Sequence, residues 1–165
     1  MGWRRMAPAD LPAVMAIASI VHPGYPEDEA VFAERLRLAP EGCHMLVGGT
    51  GDPMGYLVSH PWPIAAVPAL NSLLEAIPPA TRNWYIHDLA LLPAGRGGGV
   101  AGRIVAEIAD SAARTGYTSM ALVAVNNSTG FWRRQGFRAV DEPALAGKLA
   151  SYDDAACYMR RELKD

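Results

Sequence analysis

A chain of 165 residues with a formal net charge of −2 has room for one domain, residues 1–165, and exerts no general pull on nucleic acid or anionic lipid. Half of its residues are hydrophobic and 19% are charged, which suits a buried core and excludes a disordered chain. Two cysteines, Cys43 and Cys157, and four scattered histidines lack metal-ligand spacing, so reduced thiols and no metal site are expected.

Arg4 and Arg5 before LPAVMAIASIV superficially resemble a secretory leader, but Asp10 and Pro12 interrupt the apolar run. Leu11, Val14, Met15, Ala18 and Val21 recur at helical spacing instead. No run reaches the ~20 apolar residues of a membrane span, so the expectation is a soluble, cytoplasmic protein.

In chain order, a short strand at Trp3–Met6 leads to a helix from about Asp10 to Val21, stopped by the prolines and glycine of HPGYPED. A second helix is expected over Glu27–Leu38, with acidic residues in the first turn where the helix dipole favours them. Glu27, Asp28 and Glu29 read as a solvated helix start, with attraction of a cationic amine as the other reading. Strands at Cys43–Gly48 and Met54–His60 flank a glycine-rich hairpin connector. The proline-punctuated stretch that follows predicts one short helix, Pro68–Ile77, and carries Trp62 either as a pocket wall or as a loop aromatic. Trp84–Leu92 reads as a central strand.

After the glycines, Ala101, Ile104, Val105, Ile108 and Ala112 mark one face of a helix that Gly116 ends. The strand SMALVAV, the short helix STGFWRRQ and strands at Phe137–Val140 and Ala155–Arg161 complete the chain. Antiparallel hairpins followed by one strand–helix–strand unit make a mixed α/β domain that is not doubly wound.

Gly97, Gly98 and Gly99 sit where that helix begins, although glycine costs a helix about 0.5–1 kcal/mol per residue relative to alanine. Bare amides at a helix N-terminus, with the dipole behind them, suit a phosphate or diphosphate. Arg96 either adds charge there or braces the loop. GGGVAG satisfies the dinucleotide pattern GxGxxG, but it does not turn straight off its strand and no acid follows on SMALVAV. A phosphate-binding P-loop fails too, because Arg103 and Ile104 stand where Lys and Ser or Thr are required.

Leu91-Leu92-Pro93 with Arg96, Gly99 and Ala101 resembles the V-x-P-x-x-[RQ]-x-x-G-x-[GA] signature of the GNAT superfamily of acyl-CoA-dependent N-acetyltransferases. Phe131 to Phe137, FWRRQGF, resembles its second signature. The order of elements is similar along the whole chain, with the specific motifs confined to about 91–137. The resemblance implies a single domain with a mixed, mostly antiparallel sheet of about seven strands, flanked by helices and splayed between the fourth and fifth strands. It implies acetyl-CoA as cosubstrate and direct transfer of the acetyl group to an amine of a small molecule or peptide. Relatives that pair imply a homodimer, although no interface signature is visible.

Carried over, Leu91 and Leu92 would offer backbone groups to pantetheine, and Gly97, Gly98, Gly99, Val100, Ala101 and Gly102 would hold the diphosphate beside Arg96. Val125 and Asn126 would face them across the gap, with Phe131 and Arg134 near the far arm of the coenzyme. Trp132 stands where the family often has a tyrosine acid, and Asn126, Asn127 and Ser128 occupy a loop about two residues shorter than usual. An indole N–H is no acid at neutral pH. The candidates left for proton transfer are His87 and Asp88, placed on opposite faces by strand alternation, with the hydroxyls of Tyr85, Ser128 and Tyr152 and solvent as alternatives. A free imidazole titrates near ~6.5, which suits His87 as a proton acceptor. A coenzyme-binding module without catalysis is the other reading, in which Trp132 reflects lost chemistry.

Overall fold

The computed structural model describes residues 1–153 and 155–164. Its elements are β1 (Gly2–Arg5), α1 (Leu11–Val21), α2 (Glu29–Leu38), β2 (Cys43–Val47), β3 (Pro53–Pro61), β4 (Asn83–Leu91) and α3 (Val100–Arg114). They continue with β5 (Ser119–Ala124), α4 (Thr129–Arg134), β6 (Arg138–Ala139), α5 (Ala146–Tyr152) and β7 (Cys157–Glu162). One seven-stranded sheet runs β1-β2-β3-β4-β5-β7-β6, and only the β4–β5 pair is parallel. The mixed, mostly antiparallel sheet expected from the sequence is therefore the observed one.

Strand alternation sorts the core into two layers. Leu57, Trp84, Ile86, Met120 and Leu122 face α3, which buries Ile104, Val105, Ile108 and Ala112 at helical spacing. On the other face Tyr56, Val58 and Ala90 meet α1 through Val14 and Ile17 and α2 through Phe32 and Leu36. Farther along that face Tyr85, Ala121 and Tyr158 are covered by Val67 of the β3–β4 connection and by Leu145 just ahead of α5. Among the described residues no helix is long and apolar enough to cross a membrane, and no group of three metal-ligating side chains forms. Cys43 and Cys157 are free thiols.

Two expectations are corrected. The helix predicted at Pro68–Ile77 does not form. Pro68 and Pro78 lack an N–H, and the N–H groups of Leu74 and Glu75 donate to the Glu34 carboxylate at 2.6 and 2.9 Å. Ala65, Asn71, Glu75 and Ala80 adopt positive φ. The connection is an irregular strap, held to α2 again by Arg35 donating to the Ser72 carbonyl at 2.8 Å. Conversely α5, only seven residues long, carried too little periodicity to be read from sequence.

Candidate active site

The β4–β5 ladder ends at the pair Ile86 and Leu122, although β4 runs on to Leu91 and β5 to Ala124. Beyond that point the two strands part, and a cleft of about 590 Å³ opens between them. Its outer end is the glycine loop. Gly97, Gly98 and Gly99 have φ of +96°, +65° and +73°, a left-handed run that any side chain would strain. A Cβ at any of the three would meet nothing within 4 Å, so no neighbour in the protein explains the missing side chains. The N–H groups of Gly95 and Arg96 turn back onto Leu92 and Pro93. Among the described residues, those of Gly97 to Gly102 have no protein acceptor. The indole of Trp3 donates to the Val100 carbonyl at 2.9 Å and ties the first turn of α3 to β1.

Of the residues expected at the coenzyme, Leu91, Arg96, Gly97 and Gly99 line the cleft, followed by Val100, Ala101 and Gly102. Val125, Asn126, Phe131 and Arg134 line it from the opposite side. Gly98 does not reach its wall. Leu92 is a correction: its N–H donates to Met54 on β3 at 2.8 Å and its side chain packs toward the α1–α2 layer. Alternation then turns the backbone groups of Leu89 and Leu91, rather than those of Leu92, toward the gap. Arg96 braces the loop, its Nε donating to the Leu91 carbonyl at 3.1 Å.

The inner end corrects a second expectation. Val58 pairs with Asp88 and Ser59 with Ile86, leaving His87 as the extra residue of a β-bulge. The bulge resets the alternation. His87 and Asp88 therefore share the face turned toward α1 and α2, rather than lying on opposite faces, and both line the cleft.

Each has a partner. His87 Nε2 lies 2.8 Å from Glu27 Oε1, with the two side chains only 4% and 6% exposed. The second oxygen of Glu27 accepts from the Asn71 N–H at 3.0 Å. Glu27 is thus engaged ahead of α2 with its side chain buried, which overturns the solvated reading for it, while Asp28 and Glu29 are exposed at the helix start as expected. Burial opposes its charge, but the His87 imidazole and the Asn71 N–H hold its carboxyl below the usual range. His22 Nε2 sits 2.8 Å from Asp88 Oδ1, at ion-pair distance though off the line of an N–H bond, and Tyr56 donates to the other oxygen. Burial works against the Asp88 charge too; His22, His87 and Tyr56 together keep its carboxyl low. Burial likewise opposes a charge on His22, yet Asp88 lifts its imidazole above the ordinary value.

Two of the three hydroxyl alternatives are committed elsewhere. Ser128 donates to the Val125 carbonyl at 2.6 Å and Tyr152 to the Pro68 carbonyl at 2.7 Å. Burial pushes the Tyr152 phenol up to about 12 and the fully enclosed Tyr85 phenol well above its usual value. Trp132 is buried in the core, its ring edge-on to Phe131 and Phe137 at 4.9 and 5.5 Å.

A sequence profile described as the Acetyltransferase (GNAT) family matches residues 11–137. The chain belongs to the GNAT acetyltransferase family. No curated protein sequence matches it. Solved structures share its fold at low identity. The GphF GNAT-like decarboxylase in complex with isobutyryl-CoA superposes with a TM-score of 0.79 at 17% identity, covering 99% of this chain and 100% of that one. Ard1 from Thermoplasma volcanium gives 0.73 at 18%, covering 99% and 97%. N-acetylglutamate synthase from Neisseria gonorrhoeae, complexed with coenzyme A and N-acetyl-glutamate, gives 0.72 at 17%. This GNAT chain is covered to 99% there but spans only 35% of the synthase. Membership supports acyl transfer and the use of an acyl-CoA.

His22 and Leu89 were missed in sequence as site residues, and Glu27 was named there only for the attraction of a cationic amine, not as a partner of His87. His22 and Glu27 come from the α1–α2 connection, more than sixty and fifty residues away in the chain from Asp88 and His87, respectively, and no local spacing links them.

Proposed function

We propose that this GNAT chain transfers an acetyl group from acetyl-CoA to a primary amine by direct attack in a ternary complex. One observation carries the reading: the unpartnered amides of residues 97–102 open onto a cleft whose far end is lined by His87, itself paired to the buried Glu27 behind it. Those amides, with the dipole of α3, hold the diphosphate. The backbone of Leu89 and Leu91 takes the pantetheine arm, which brings the thioester toward His87 and Asp88.

Glu27 accepts from His87 Nε2–H and so leaves Nδ1 as the lone-pair nitrogen. The amine nitrogen attacks the thioester carbonyl, the C–N bond forms, and the C–S bond breaks. His87 Nδ1 takes the proton released from nitrogen. Asp88 positions His22 and Tyr56 and is not itself the base, since both its oxygens are engaged. An alkyl thiolate of pKa ~8.5 leaves without a dedicated acid, and solvent protonates it. Tyr85, Ser128 and Tyr152 are then not required as donors, and Trp132 in the tyrosine position is tolerated. The free thiols Cys43 and Cys157 fit a reducing compartment such as the cytoplasm.

The test is release of free CoA from acetyl-CoA across a panel of amines, with His87→Ala as comparison. Amine-dependent release that falls at least 100-fold in the variant supports the enzyme. Trp132 in the core favours the rival reading of a coenzyme-binding module, and tight CoA binding without turnover on any amine would establish that one instead.

A further inference from the structure

At its inner end the cleft opens into a chamber of about 50 Å³, less than a tenth of the volume of the cleft itself. His22, His87, Asp88, Val123 and Val125 line both spaces, so the chamber lies next to the place where the thioester arrives. Its remaining wall is built from Glu27, the phenols Tyr25, Tyr85 and Tyr152, and Leu70. Among the described residues no lysine or arginine lines it.

Resting on the acetyltransferase reading above, we infer that the acceptor is an unbranched primary amine, carried on a methylene and without a carboxylate beside it. It arrives as its ammonium ion and gives one proton to solvent before the neutral nitrogen attacks and His87 takes the second. Charge, aromatic content and volume each point that way. Glu27 and Asp88 supply two negative charges, each facing one imidazole, and an arriving ammonium is attracted to both. Three tyrosines also line the chamber, and aromatic walls favour a cation over an anion. The α-carboxylate of an amino acid would enter the same space, where the two imidazoles are already matched to Asp88 and Glu27 and no described lysine or arginine lines the wall. An unpaired buried charge is strongly disfavoured. Arg35, whose Nη1 donates to Glu34 and the Ser72 carbonyl while its buried Nε and Nη2 have no partner among the described residues, is not among the residues that line the chamber. The chamber's small volume favours a bare methylene over a branched carbon beside the amine, which argues against the N-terminus of a peptide as well.

The walls are fixed. Tyr25 donates to Asp153, Tyr152 to the Pro68 carbonyl, and Glu27 accepts from Asn71, so the chamber is bounded by hydrogen-bonded side chains from three segments.

The experiment compares kcat/KM at saturating acetyl-CoA for n-butylamine, glycine (unbranched, with a carboxylate) and alaninamide (branched, without one). Butylamine is expected to exceed each of the others at least 100-fold. Alaninamide is the least basic and most deprotonated at neutral pH, so reactivity alone gives the reverse order. Glycine or alaninamide used as well as butylamine overturns the inference and leaves the acetyltransferase reading standing. Failure of every amine to raise CoA release, with coenzyme bound, overturns both. As a second check, Leu70→Lys places a cation at the wall and is expected to shift the glycine-to-butylamine ratio at least tenfold toward glycine. An unchanged ratio in that variant, folded and binding coenzyme, counts against the charge argument.

Discussion

Replacing Glu27 by Gln removes the charge that orients His87 while keeping the shape of the side chain. The contact is 2.8 Å between groups 4% and 6% exposed, so solvent screening takes little from it. A hydrogen bond to a charged group contributes about 1.5–3 kcal/mol, and the glutamine amide also lets the ring take the tautomer that puts its proton on Nδ1. General-base catalysis is itself worth about 10²–10⁴-fold, so kcat is expected to fall roughly 100-fold. Glu27 does not line the coenzyme cleft, and KM for acetyl-CoA should stay within a factor of about three. Steady-state kinetics on Glu27→Gln, His87→Ala and the double variant separate the roles. If the carboxylate works through the imidazole, adding Glu27→Gln to His87→Ala changes nothing further. Additive losses, or a Glu27→Gln kcat close to wild type, would refute the reasoning.

Gly99→Ala meets no neighbour within 4 Å but holds φ at +73°, so stability should drop by about 1–2 kcal/mol in a denaturant titration while coenzyme affinity drops at least tenfold. Glu34→Ala strands the fully buried Arg35 and frees the Leu74 and Glu75 amides; a loss of about 3–5 kcal/mol and faster proteolysis within residues 62–82 are expected. His60 is fully buried, and burial brings its imidazole down to about 3. Its unfolded form binds a proton from near pH 6.5 downward while the folded form does not, so stability declines with falling pH, by about 2 kcal/mol at pH 5. The acid limb of the stability curve should be correspondingly flatter in His60→Gln.

The glycine-loop end of the cleft was legible because its signal is local. A proline, an arginine and a glycine run at fixed spacing describe one loop and the first turn of one helix, and Leu91 to Ala101 fold as their pattern implies. Leu92 escaped because the register of β3 against β4 decides which backbone groups face the gap. The catalytic end was less legible, since one extra residue in β4 rotates His87 onto the face of Asp88, and residue types alone do not announce a bulge. His22 and Glu27 reach the site only after α1 and α2 have packed on the sheet. The strap over residues 62–82 misled for a related reason: Glu34 competes for its amides with the helix that local propensity would build.

The central claim is that the main-chain amides of residues 97–102 hold the diphosphate of an acyl-CoA. Isothermal titration calorimetry of the purified chain with CoA and with dephosphorylated pantetheine tests it directly. Saturable heat with CoA, weakened at least tenfold when the diphosphate is missing, is the predicted result; no heat with CoA, or equal affinity for pantetheine, would contradict it.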